Sequence, residues 1–414
     1  MPKVMPNTDA IEQSRQNVAV EEVMPSAAVS RLKNAFGSLE TVFVNRTEEI
    51  NALLLAVISG CHILFEGSPG TAKSDLAREC FARITGNGLV VYDKMFGKGT
   101  KEDDVFGPVD MTRYRERAEW SHNTTGALPS AHFANLEELG RASDMLLPSM
   151  MTVLNERIFH NGPVMQKCPL ITAVASTNFL TETDELAAFN DRWLIRMQVK
   201  PLDNNQKTIE MITRSLNPRP PIKDTVSLVE ILRLNKEART IKIQPEVVPL
   251  FVELVRSYEK ANTKPSFQIS DRRLVHAFRL ARANAVLEER DSVIADDLEV
   301  VKYGLSIVGK DDESAFTTVL QKVVSQAVAF RKENEEIDLM TRFMRKMTDE
   351  FDPNNTLASL RKMKSDCAKM ITGMKARQDP FKLPANQVAY NDLLGKAEGF
   401  AKTIDESVAA AALR

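Results

Sequence analysis

The sequence has no pair of cysteines at the short spacings that hold zinc or build a disulfide framework. Its four cysteines, Cys61, Cys80, Cys168 and Cys367, are scattered along 414 residues. That usage points to reduced thiols and a cytoplasmic location. Charge of one sign is also lacking: 54 Lys and Arg stand against 56 Asp and Glu, a formal net charge of −2. Nothing global therefore favours nucleic acid or an anionic membrane as partner. No run of about 18 apolar residues occurs, so no insertion into a membrane is expected. The polar start of the chain, with Pro2, Pro6 and Pro25, has no apolar segment of the signal-peptide kind. Internal repeats are absent, and the only low-complexity stretch is the terminal Ala409–Ala412. The length allows two or three domains with a sizeable core.

What is present alternates between two periods. His62 to Glu66 is a short apolar run that stops at Gly67, as a buried strand does on entering a loop. A helix is expected over Asp75 to Ile84, and further short apolar runs over Leu89 to Tyr92, Ala131 to Leu136 and Leu170 to Ser176. Strands alternating with helices imply an α/β fold with a parallel sheet covered on both faces. After Pro201 the pattern is helical, around Thr225–Asn235, Pro245–Ala261, Asp271–Glu289 and Ala295–Tyr303. The reading divides the chain into a flexible tail (1–29), an αβα core (30–200), a helical lid (201–310) and a C-terminal helical region (311–414).

Gly67-Ser68-Pro69-Gly70-Thr71-Ala72-Lys73-Ser74 lies between the first strand and the helix after it, which is the setting of a phosphate-binding loop. Small residues let backbone N–H groups wrap phosphates, and the new helix adds its positive dipole end. Lys73 would reach the terminal phosphates of ATP and the Ser74 hydroxyl would ligate Mg²⁺. The bland alternative is a Gly-Pro turn that precedes a lysine by chance. Downstream, His132 to Glu138 reads as a strand ending in two acids. Glu137 would hold the Mg²⁺ shell, although an Asp is usual there, and Glu138 is the candidate general base. Asn135 is an odd residue for a strand interior, and Leu-Glu-Glu alone is an ordinary helix start. Asn178, at the tip of the strand Leu170–Ser176, could orient the attacking water or simply begin a turn. Arg192, in Asn190-Asp191-Arg192-Trp193, is ordinarily a surface residue; in a ring it could reach a neighbour's γ-phosphate.

Together these residues resemble the MoxR family of AAA+ ATPases, and most closely its RavA-like branch, over roughly 30–308. Ala before Lys in the loop is that family's form. Asp104–Val109 and Thr125–Pro129 look like its connecting segments, and Leu154–Gly162 looks like its signature downstream of the two acids. The resemblance implies that Asn178 is the sensor 1 residue and Asp191-Arg192-Trp193 the arginine-finger motif. It puts sensor 2 in Ile269–Arg273, with Arg272 over the nucleotide or, failing that, Arg273. It sets Asn45, in Val44-Asn45-Arg46, beside the adenine where Gly is usual. It also implies a homo-oligomeric ring, with hexamer resting on the resemblance alone, and a client that often carries a von Willebrand factor A domain. An insertion (108–126) and a hairpin (157–169) would face the pore. Asn161-Gly162 between apolar pairs supports the hairpin independently, as a two-residue turn.

The C-terminal region carries apolar stripes at helical spacing (Phe316 to Val328; Ile337, Met340, Met344, Met347; Leu357 to Met374) and a third helix over 386–408. A helical hairpin packing on itself or on a neighbour is expected. Its methionines read as core, with an adaptable binding face as the alternative. Three functions remain open: a remodelling ATPase acting on a partner protein, a nucleic-acid motor, and a nucleotide-switched scaffold slowed by Glu137.

Overall fold

The computed structural model describes residues 25–143, 146–178, 192–261, 269–305, 313–377, 381 and 384–413. The chain divides into two compact units: residues 1–244 with 254–320, and residues 245–253 with 321–414.

The first unit opens with α1 (Pro25–Gly37) and α2 (Thr47–Ser59), then β1 (Ile63–Glu66) and α3 (Lys73–Phe81). Next come β2 (Val91–Met95), the short helix α4 (Met111–Arg117), β3 (Phe133–Glu137) and α5 (Leu146–Glu156). The hairpin β4 (Ile158–Asn161) and β5 (Val164–Lys167), the strands β6 (Thr172–Thr177) and β7 (Ile195–Gln198), and α6 (Asn205–Ser215) complete the αβα part. Helix α1 starts inside the segment expected to be a tail, and α6 was not anticipated. The latter has no buried residue at all, so no apolar run announces it.

The central sheet has the order β2-β3-β6-β1-β7, every pair parallel. Strands β3 and β6 are buried at every position, as strands covered on both faces must be. Register aligns Glu66 with Thr177 and Leu136 with Ala175, so β1, β3 and β6 end side by side. Ligands of open parallel sheets bind at that carboxyl edge. The core beneath it joins Leu64, Leu136, Met150, Val153, Leu154, Ala175 and Trp193.

The lid helices are α7 (Leu228–Thr240), α8 (Val247–Ala261) and α9 (Asp271–Leu287). Helix α7 begins with a capping box between Ser227 and Glu230, and the Ser270 hydroxyl caps α9 by accepting from the Arg273 N–H at 3.2 Å, each satisfying donors a helix start leaves open. The second unit is formed from the C-terminal part of α10 (Glu313–Asp349) with α11 (Leu357–Lys375) and α12 (Pro384–Ala412). Its core contains Met344, Met347, Cys367, Met374, Phe381, Tyr390 and Leu393. The methionine stripes are thus packing material. Arg377 spans 3.7 Å to the Phe381 ring and pairs with Glu336 at 2.5 Å.

Candidate nucleotide site

The loop Gly67–Lys73 leaves β1 and turns into α3. Gly67 is required there, because a Cβ would lie 2.2 Å from the Val199 carbonyl oxygen. Gly70 has φ +83° and Ala72 φ +63°, both left-handed. That bend is easy for glycine and costs alanine about 1–2 kcal/mol. The Lys73 ammonium turns back into the loop and donates to the carbonyls of Gly67 (2.7 Å) and Ser68 (2.9 Å) and to Thr71 Oγ1 (3.2 Å). Burial pulls its pKa below the ordinary value, while the Glu138 carboxylate pulls it up and Arg46 down. A cation held by two carbonyls and a hydroxyl beside a helix start offers positive charge where an anion is already favoured. The Ser74 hydroxyl lies 3.0 Å from that of Ser176 on β6.

The two acids at the end of β3 take separate environments. Glu137 is 3% exposed; its Oε1 accepts from Asn135 Nδ2 at 3.1 Å and from the Arg78 guanidinium. Glu138 has φ +53°, which turns it out of the strand's alternation. Its Oε1 accepts from Asn178 Nδ2 at 2.6 Å, and its Oε2 pairs with Arg141 at 3.2 Å. The loop lysine, both acids and the β6 amide therefore meet at one edge. Ser74 and Glu137 carry hard oxygen donors, the chemical type that Mg²⁺ takes.

Residues 30–225 match the family described as the MoxR domain in the MoxR-vWA-beta-propeller ternary systems, and residues 246–315 match the AAA lid domain. An uncharacterized protein of Methanocaldococcus jannaschii is 30% identical over 278 residues, covering 67% of this chain and 70% of that one. Chaperone MoxR1 of Mycobacterium tuberculosis is 26% identical over 291 residues, covering 67% of this chain and 74% of its own. The crystal structure of a candidate ATPase from Cytophaga hutchinsonii superposes with a TM-score of 0.56 at 17% identity, over 77% of this chain and 98% of that one. The chain belongs to the MoxR family of AAA ATPases.

In this MoxR protein the remaining expected residues are placed as follows. Asn45 has φ +57°, which explains an amide where glycine is usual, since both residues tolerate left-handed backbone. Its Oδ1 accepts from the Lys207 ammonium. Arg192 is half-buried and directly precedes Trp193, whose fully buried ring lies 5.7 Å from His62; Asp191 falls outside the described residues. Arg272 is exposed in the first turn of α9, whereas Arg273 donates to the Leu194 carbonyl just before β7, at 2.8 Å. The hairpin forms as expected, but with Asn161 as its last paired residue and Gly162-Pro163 as the turn. Proline cannot take positive φ, so the turn with two left-handed residues is excluded. The Asn161 side chain is freed to clasp the insertion: the His122 N–H donates to its Oδ1 at 2.6 Å, and its Nδ2 donates to the His122 carbonyl at 2.9 Å.

Three arginines of the MoxR chain matter more than the sequence suggested. Buried Arg46 donates to the carbonyls of Thr71 (3.4 Å) and Lys200 (3.0 Å), tying the phosphate loop to the end of β7. Arg78 pairs with Asp93 at 2.8 Å as well as with Glu137. Arg157, also left-handed, binds three backbone carbonyls. The only sequence signals were adjacency to Asn45, the turn after Lys73 and the segment Leu154–Gly162. Among the described residues, no helix is long and apolar enough to cross a membrane.

Proposed function

We propose that this chain is a ring-forming, RavA-like MoxR ATPase of the cytoplasm that couples Mg²⁺-dependent ATP hydrolysis to remodelling of a client carrying a von Willebrand factor A domain. The observation that carries the enzymatic part is the 2.6 Å bond from Asn178 to Glu138, set beside the Lys73 loop. A base must be aimed at a water near the γ-phosphate, and the amide holds Glu138 in that neighbourhood. Lys73 and the loop N–H groups bind the phosphates. Ser74 and Glu137 would hold the metal, which would supply charge neutralisation on the transferred phosphoryl group. Asn45 flanks the adenine and Arg272 closes the lid over the nucleotide. The match to the MoxR domain of MoxR-vWA-beta-propeller systems supports a von Willebrand factor A partner. The balanced charge speaks against a nucleic-acid motor. A slow, switch-like ATPase draws support from the ion pair that Glu137 already makes with Arg78.

The ring is tested through Arg192, which in this reading acts on the neighbouring subunit's γ-phosphate. Arg192→Ala should bind ATP but lose about 10³-fold or more in turnover, as arginine fingers do. Mixing it with Lys73→Ala protein, which has an intact finger and an empty site, should restore activity. Mixed rings that form and stay inactive would refute action across an interface. Co-purification of a von Willebrand factor A protein with the Glu138→Gln trap, dependent on ATP, tests the client.

A further inference from the structure

Asn135 is the polar residue that the strand pattern does not account for. It stands among Phe133, Ala134 and Leu136 in a strand with every position buried, and is itself 1% exposed. Its Oδ1 is buried with no hydrogen-bond partner among the described residues. An aliphatic side chain would avoid that desolvation cost, so packing alone gives no reason for an amide. Its Nδ2, by contrast, donates twice: to Asp93 Oδ1 and to Glu137 Oε1, each at 3.1 Å. Two carboxylate acceptors fix which end of the amide is nitrogen.

Backbone geometry makes this arrangement direct. Asn135 and Glu137 are two residues apart on β3 and so share a face, and parallel register sets Asp93 of β2 opposite Asn135. Arg78, on α3 beyond the phosphate loop, closes the circuit by donating from Nε to Asp93 Oδ2 at 2.8 Å and from Nη2 to Glu137 Oε1. Both donors to Glu137 converge on Oε1, which leaves Oε2 for a hydrated cation.

We propose that Asn135, Arg78 and Asp93 form a clamp that positions Glu137, so that a carboxylate one methylene longer than the usual Asp presents a single fixed oxygen to the metal. An unrestrained Glu would spread its carboxylate over an additional torsion; two donors on one oxygen remove that freedom. These are positioning residues that act through Glu137, and the proposal rests on the reading of Glu137 as part of the Mg²⁺ shell.

The test is a Mg²⁺ titration of fluorescent ADP affinity on the full chain, with a parallel measurement in EDTA and a thermal melt. Asn135→Leu should melt no lower than the parent and bind nucleotide equally in EDTA. Its Mg²⁺ requirement should rise about 10-fold or more, as loss of a partner behind a metal ligand does. Arg78→Met should do the same, and Arg78→Lys should recover part of the loss. In a Glu137→Asp background the carboxylate is too short for the clamp, and Asn135→Leu should then change the Mg²⁺ requirement by less than about twofold, the error of additivity. An equal loss in both backgrounds, or a lowered melt with an unchanged Mg²⁺ requirement, overturns the clamp. An unchanged Mg²⁺ requirement in Glu137→Gln overturns instead the metal role of Glu137 on which it rests.

Discussion

Arg157 offers a quantitative test of how the first unit is held together. It ends α5 in left-handed backbone, φ +58°. Its Nε donates to the Leu170 carbonyl at 2.7 Å, and its Nη2 donates to those of Gly60 at 3.1 Å and Ile171 at 3.2 Å. One guanidinium thus ties the end of α5, the turn after α2 and the approach to β6. Hydrogen bonds to a charged group contribute about 1.5–3 kcal/mol each, net of desolvation, so three would give roughly 4.5–9 kcal/mol if they added in full. They do not: two acceptors share Nη2, and burial pulls the Arg157 pKa below its ordinary value, to about 10. The net therefore lies below the lower figure. Arg157→Met should therefore destabilise by about 2–4 kcal/mol, leaving three carbonyls without their donor.

The assay is thermal unfolding without nucleotide, since ligand would shift the midpoint by mass action. At about 2–4 °C per kcal/mol for a large domain, the midpoint should fall by roughly 4–16 °C. Arg157→Lys keeps the charge but not the fork, and should recover only part of the loss. A midpoint within about 1 °C of the parent for Arg157→Met would refute the carbonyl-clasp argument, because the measured net would then be near zero.

Buried His62 gives a pH prediction. The Ala173 N–H donates to its Nδ1 at 2.9 Å and its Nε2 lies 2.6 Å from the Leu154 carbonyl, so the neutral ring fits, and burial holds the pKa well below the ordinary value. Below about pH 6.5 the unfolded chain takes up a proton that the folded chain refuses, so stability falls with pH by up to about 1.4 kcal/mol per pH unit; the midpoint of His62→Gln should fall less steeply between pH 6.5 and 5. Ala72→Gly should raise stability by about 0.5–1 kcal/mol, relief of left-handed strain being partly offset by glycine's entropy, as read by chemical denaturation. Glu138→Gln should keep ATP affinity and lose at least about 100-fold in turnover; Lys73→Ala should lose affinity itself, both measured by equilibrium binding and steady-state hydrolysis.

Most of the sheet was legible because buried strands are written as short apolar runs closed by Gly or a polar tip, and the phosphate loop because its glycines are needed where the backbone bends. Chemistry carried by long side chains was not. Arg78, Arg46 and Arg157 act on partners that the fold brings from distant segments, and nothing local marks an arginine that binds backbone carbonyls. Helix α6 escaped notice for the opposite reason, having no core face to betray it. At Asn161 the local signal was real but its meaning shifted, since Pro163 moved the turn by one residue and released the amide to hold His122.

The pair Glu137-Glu138 shows most clearly what sequence could not decide. Strand alternation alone sends adjacent side chains to opposite faces, which would leave just one of two neighbouring acids at a common site. The structure resolves this with backbone: β3 ends at Glu137, and Glu138 enters left-handed space at φ +53°. Such strain in a non-glycine residue costs on the order of 1–3 kcal/mol and persists where the surroundings over-determine it. Here the surroundings are the Asn178 amide on one oxygen and Arg141 on the other. The same bend leaves Glu137 buried against Asn135 and Arg78. One strained residue thus divides two chemically identical carboxylates, one tied to the inner network of Asn135 and Arg78 and one facing Asn178 at the tip of β6.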